Sequence, residues 1–200
     1  LGCLSRSKYK ETCDNAIKII KFLDNNYQTL DNPLCCGALA HQIAPKEEII
    51  DHVKLVNEWF KENDVTHIVT ICAGCYNYLT RYYPKYLGTE FNVEVMHLLQ
   101  LMNKPESLQK LNLKYNGKKL KIYYHDACHL RNAEPPIIEE PREIINSIEG
   151  NIVLGEMENN RLNSLCCGAG GGVYSTFKEN SDFSSKLIFD QMRMSKALLT

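Results

Sequence analysis

Nine cysteines stand in a chain of 200 residues: Cys3, Cys13, Cys35, Cys36, Cys72, Cys75, Cys128, Cys166 and Cys167. The pentapeptide LCCGA occurs twice, at 34–38 and at 165–169. In the first half, 31 residues separate Cys3 from Cys35, and 35 separate Cys36 from the C-x-x-C of Cys72 and Cys75. In the second half, 37 residues separate Cys128 from Cys166-Cys167, and a matching C-x-x-C would start at position 203, past Thr200. Adjacent cysteines do not pair with each other across one peptide bond without strain. An odd count does not suit a closed disulfide framework, and a chain of this length buries a core without one. Unpaired thiolates are nucleophiles or metal ligands. The pattern therefore points to a reducing compartment and metal–thiolate chemistry. A tetrahedral zinc takes four such ligands, iron–sulfur clusters also take thiolates, and the first half offers five.

Alternating elements must position these thiols. Apolar spacing predicts helices over Lys8–Leu23 and from Pro45 to about Asn63, the latter with Ile49, Val53, Val56, Trp59 and Phe60 on its inner stripe. Thr66–Ile71 reads as a buried strand ending at Cys72. A helix over Tyr76–Tyr82 is expected to stop near Pro84, followed by a strand over Phe91–Met96. Residues 105–119, with Pro105 and Gly117, read as a linker between a first repeat, 1–104, and a second, 120–200. There the pattern restarts: strand Leu120–Tyr124, helix Glu139–Ile148, strand Asn151–Met157 and helix Ser181–Leu198. Strands alternating with helices predict an α/β fold with mostly parallel strands and ligands at strand-to-loop junctions. The second repeat lacks its final C-x-x-C.

Composition excludes several classes. A net charge of −1 gives no footprint for nucleic acid. No apolar run approaches the roughly 20 residues of a membrane span, and the opening LGCLSRSKYKE is no secretory signal. The expected location is cytoplasmic, with any membrane association supplied by a partner subunit. The chain does not start with Met and reads as a segment of a longer one. Cys13, inside an amphipathic helix, reads as a packed thiol. Gly170–Gly172 lacks the Lys-Ser/Thr of a phosphate loop and reads as a close backbone approach. His125 and His129 flank Cys128, and a histidine there has a suitable pKa to deliver a proton. Arg131 suits an anionic substrate or a surface pair. Tyr76, Tyr78, Tyr82 and Tyr83 read as core or rim.

The order C-x31-CC-x35-C-x-x-C, with Gly37 after the adjacent pair, resembles the signature of the cysteine-rich CCG domain. So do ICAGCYNYL at 71–79, YHDACHLRN at 124–132, EEPREI at 139–144 and CCGAGGGV at 166–173. That family includes heterodisulfide reductase catalytic subunits of the membrane-cytochrome-linked type and iron–sulfur subunits of glycolate, lactate and glycerol-3-phosphate oxidising complexes. The resemblance implies two pseudo-symmetric, Rossmann-like repeats. It implies one or two noncubane [4Fe-4S] clusters held by Cys3, Cys35, Cys36, Cys72 and Cys75 and by Cys128, Cys166 and Cys167, with zinc as the rival occupant of one repeat. It implies reduction of a small disulfide of the coenzyme M–coenzyme B type to two thiols, for which His129 is the candidate proton donor. The implied partners are redox subunits carrying flavin, haem b or ferredoxin-type clusters. The alternatives are an electron-transfer subunit of a hydroxyacid or glycerol-3-phosphate oxidising complex, and a zinc-stabilised docking module.

Overall fold

The computed structural model describes residues 2–29 and 33–197, and the Cys3 side chain lies outside the described residues. Contacts divide the chain into two units. The first runs to Met102 and takes in Ala133–Pro135; the second takes Asn103–Asn132 and resumes at Pro136. Each carries one pair of parallel strands, so the expected α/β architecture with parallel strands is what the chain adopts.

In the first unit, α1 (Cys3–Lys8) leads into α2 (Lys10–Leu23). Cys13, Ala16 and Ile20 of α2 are buried at helical spacing, Cys13 as a packed thiol. Ala16 and Ile20 meet Leu98 and Leu101 of α6 (Leu98–Met102). Helix α3 (Lys46–Glu62) follows Pro45 and buries Ile49, Val53, Val56 and Phe60. Trp59, expected on that stripe, is only half-buried. Asn57 is also buried, and its amide donates to Glu90 O at 3.2 Å. Strand β1 (His67–Thr70) pairs with β2 (Glu94–His97), from His67 opposite Glu94 to Thr70 opposite His97. Strand β2 thus lies later than the expected 91–96.

Between these strands runs an almost unbroken helix: α4 (Ala73–Asn77), a π-helical turn over Tyr78–Tyr82 and α5 (Tyr83–Leu87). It does not stop near Pro84 as expected. A proline inside an α-helix collides with the carbonyl four residues back and leaves it without a donor. Here the ladder is already interrupted by the π turn, so Pro84 falls in the first turn of the next α segment, where its missing N–H costs nothing.

The second unit opens with α7 (Pro105–Leu111) and β3 (Lys114–Tyr123). Residues 105–119 are therefore helix and strand, where a linker was expected. The polar face and Gly117 that suggested a loop belong to a strand whose register slips between Tyr115 and Leu120. Helix α8 (Cys128–Arg131) and helix α9 (Glu140–Asn146) come next, with Pro141 in the first turn of α9. Strand β4 (Glu149–Gly155) pairs with β3 and begins two residues before the expected 151. Helices α10 (Val173–Thr176) and α11 (Lys178–Ala197) complete the unit. On α11, Phe183, Leu187 and Met194 are exposed, and they repeat the spacing of the buried Ile49, Val53 and Phe60 on α3.

One buried ion-pair network ties this unit together. Arg142 of α9, 3% exposed, makes two hydrogen bonds to the Asp126 carboxylate, at 2.7 and 2.8 Å, and two to Glu156, at 2.7 and 3.1 Å. Asp126 also accepts from Arg161 N–H at 2.7 Å. Burial works against the Asp126 charge, yet these donors outweigh it and hold its pKa below the ordinary aspartate value. Asp126 stands two residues before Cys128, so the network anchors that cysteine's loop to α9.

Removing one partner of a buried pair costs more than the pair contributes. Asp126→Asn is expected to lose about 3 kcal/mol in urea unfolding, since Glu156 still serves Arg142. The lowered pKa fixes the pH window. The carboxylate's contribution is fully present above the unfolded-state value of about 3.9 and is lost as pH falls through the lower folded-state value. The gap between wild type and D126N should therefore be constant from neutral pH to about pH 5 and close below about pH 4. A gap that widens on acidification would contradict this.

Candidate metal centre

The thiols of the first unit meet at the carboxyl end of β1. Cys72 is the N-cap of α4; its sulfur lies 3.5 Å from Cys75 N, and the helical turn brings both sulfurs to one side. Cys36 Sγ arrives from the distant CCG loop and lies 3.3 Å from Cys75 Sγ. Gly2, the neighbour of Cys3, closes on the same pair: a Cβ there would lie 2.9 Å from Cys72 Cβ and 3.2 Å from each of the Cys72 and Cys75 sulfurs. The backbone leading into Cys3 therefore touches the C-x-x-C, and only a residue without a side chain fits. Cys35 is exposed beside Cys36.

Close thiols cannot all ionise. Hydrogen bonds from Cys35, and then from Cys75, pull Cys36 down to about 3. A hydrogen bond from Cys75 pulls Cys72 down to about 6. Cys75, between those two, is pushed up by both. The outer two thiols are thus favoured as thiolates over the one between them, and thiolates are the donors a soft or borderline metal takes. Among the described residues, the cysteines form no disulfide, and no three Cys, His, Asp or Glu side chains converge on a single ion position.

The CCG loop is fixed through its backbone. His52 Nε2, from α3, donates to Cys35 O at 2.8 Å, and Tyr83 Oη, from α5, donates to Cys36 O at 3.0 Å. Gly37 has φ +86°, and a Cβ on it would lie 2.7 Å from His52 Cδ2. The glycine therefore provides both the left-handed turn and the room for the histidine that clamps the loop.

The second unit repeats this device with other residues. His125 Nε2 donates to Leu165 O at 2.8 Å, and Ser181 Oγ to Cys167 O at 3.5 Å. Arg131 donates through Nη1 to Ser164 O, so it grips the loop. Gly168 has φ +69° and abuts Ser181 and Ser184 on α11. Cys128 Sγ and Cys166 Sγ lie 4.0 Å apart, and Gly168 N–H points at Cys166 Sγ at 3.4 Å. Burial, followed by the Cys166 charge, raises the Cys128 pKa. The His129 ring packs on the glycine run: a Cβ on Gly170 would lie 3.1 Å from His129 Cε1.

The structure thus brings Cys36, Cys72 and Cys75 together in one unit, with Cys35 beside them, and Cys128 with Cys166 in the other. The clamps His52, Tyr83 and Ser181 were not visible in the sequence, because a donor to a main-chain carbonyl leaves no spacing signature.

A family model described as a cysteine-rich domain (CCG) matches residues 1–80 and 122–197. The chain is 33% identical over 175 residues to an uncharacterized iron-sulfur protein of Methanocaldococcus jannaschii, covering 87% of this chain and 32% of that protein. It is 28% identical over 193 residues to a subunit of the fumarate reductase (CoM/CoB) of Methanothermobacter marburgensis, covering 96% of this chain and 36% of the relative. It is 27% identical over 177 residues to a subunit of the dihydromethanophenazine:CoB–CoM heterodisulfide reductase of Methanosarcina acetivorans, covering 86% of this chain and 42% of the relative. The chain therefore spans about a third to two fifths of these relatives' lengths.

Two substitutions separate the turn from the clamp. Gly37→Ala imposes a strained φ and displaces His52, and is expected to cost about 2 kcal/mol. His52→Ala leaves one carbonyl without its donor and is expected to cost about 1 kcal/mol. Urea midpoints should fall in that order, and a G37A protein as stable as wild type would contradict the assignment.

Proposed function

The chain belongs to the CCG cysteine-rich domain family, and from that premise we propose that it is the cluster-bearing catalytic segment of a heterodisulfide-reductase-like iron–sulfur oxidoreductase. The observation that carries the proposal is the meeting of Cys36 with Cys75, at 3.3 Å, across 39 positions of chain, on a surface where Gly2 admits no side chain. The donor set fits an iron–sulfur cluster: soft sulfur ligands, with main-chain N–H groups directed at Cys72 and Cys166. Cys3, Cys35, Cys36, Cys72 and Cys75 would hold a noncubane [4Fe-4S] cluster, and Cys128, Cys166 and Cys167 part of a second. Bound there, such a group supplies one-electron steps that thiol exchange alone does not offer.

The chain's own residues supply the rest. The reaction is RSSR + 2e⁻ + 2H⁺ → 2 RSH, with a disulfide of the coenzyme M–coenzyme B type as substrate. A redox partner carrying flavin, haem b or ferredoxin-type clusters delivers the electrons. Of the two histidines beside Cys128, His125 is committed to the Leu165 carbonyl. His129, over the glycine run, is the residue we assign to deliver a proton. The carbonyl clamps keep the CCG loops still while the charge of the site changes. Among the described residues no helix is long and apolar enough to cross a membrane.

Likeness to the CoM/CoB fumarate reductase subunit over 96% of the chain favours a second reading, in which these thiolates hold an electron conduit for a subunit that performs the chemistry elsewhere. Anaerobic purification of the complete complex, followed by assays of iron, sulfide and zinc, decides the cofactor. Iron with equimolar sulfide is expected, whereas zinc without iron overturns the reading. Disulfide reduction with a one-electron dye then separates catalyst from conduit. His129→Gln is expected to lower kcat about 10²-fold with iron unchanged, while His125→Ala should lose iron. Equal activity in H129Q and wild type would remove His129 from the mechanism.

A further inference from the structure

The first unit holds a cluster of rings that the metal centre does not use. His41 lies on the single turn Ala40–Gln42 that follows the first CCG loop, with its main-chain N–H bonded to Gly37 O at 2.9 Å. Three tyrosines surround its ring: Tyr82 at 4.5 Å, Tyr78 at 5.1 Å and Tyr86 at 6.2 Å between centroids. The Tyr78 and Tyr86 hydroxyls lie 3.4 and 3.3 Å from His41 Nδ1. These tyrosines stand four positions apart. In an α-helix each such step overshoots a full turn by about 40°, and the wider π turn over Tyr78–Tyr82 undershoots. The two errors offset, so all three rings face the histidine.

This cage suits both protonation states of an imidazole. A phenol can donate to a bare Nδ1 or accept from a protonated one, and aromatic faces attract a cation. The titratable and charged groups facing His41 are the three phenols and the Lys85 ammonium. Burial, then Lys85, lowers its pKa, so it rests neutral near pH 7. Tyr78 links the cage to the thiols: its ring lies 3.6 Å from where a Gly37 Cβ would stand, and it feels the Cys36 charge.

We propose that His41 takes up a proton when the thiolate-held centre of the first repeat takes up an electron, so that the net charge around the CCG loop stays constant. The step balances. A one-electron donor of flavin, haem or ferredoxin class supplies the electron, and solvent supplies the proton to the half-buried ring. One N–H bond forms and none breaks in the protein. His41 touches no reacting atom and acts as a charge-compensating group. The inference rests on the iron–sulfur reading above and deepens it.

The test uses the anaerobically purified complex, reduced stepwise with dithionite. The reduction potential of the EPR-active centre should fall as pH rises through the interval between the His41 pKa values of the oxidised and reduced protein and level off beyond it, and His41→Gln should abolish that slope with iron content unchanged. On the wild type, the His41 C2–H resonance should report a pKa about one unit higher after reduction, a tenfold gain in proton affinity. An unchanged slope in H41Q, or the same His41 pKa in both redox states, overturns the proposal. Protein without iron overturns the iron–sulfur reading as well, so the two failures are distinguishable.

Discussion

Thiolates repel one another, and a protein that gathers several must hold them by something other than their mutual attraction. Here the hold is on the main chain. Side chains from neighbouring helices and loops donate to carbonyls at or beside each vicinal pair, and glycines at positive φ turn the loop so that those carbonyls are presented. The sulfurs are left to make contacts of their own. Everything else in the two units serves to bring those donors, and the ends of the parallel strands, to the loops.

The two units solve the same problem with different materials. The first is braced by aromatic packing: Tyr78 and Tyr83 pack against α3, and Tyr83 edge-on against Tyr78. One of its two clamps, Tyr83, is therefore a phenol reaching out of a core. The second adds charge, with Arg142 held between Asp126 and Glu156 and with Arg131 on the loop itself. A buried ion network gives less net stability than a packed apolar core, but it fixes directions. That is what the cysteine at the start of α8 requires.

Much of this was legible in the sequence, and the reasons differ by residue. The cysteine spacing survives because ligand sets are read directly from residue type. Helix α3 and strand β1 survive because their periodicity reports burial. The segment 105–119 misled because a slipped, half-exposed strand containing glycine has the composition of a loop. Pro84 misled because a π turn leaves no mark in the periodicity. His52 and Ser181 could not be singled out, since any donor of suitable length can reach a carbonyl. Arg131, read as an anion binder or surface pair, proved to be a loop clamp for the same reason.

The π turn also changes what a deletion would mean in this region. A residue removed between Tyr78 and Tyr82 would close the wide turn into ordinary helix. Five residues of π turn and four of α-helix sweep nearly the same angle, so Tyr83 and Tyr86 would keep their directions toward the Cys36 carbonyl and His41. The same deletion in an unbroken segment such as α3 would swing every later side chain by about 100°. The wide turn thus lets this helix change its length by one residue without undoing the site.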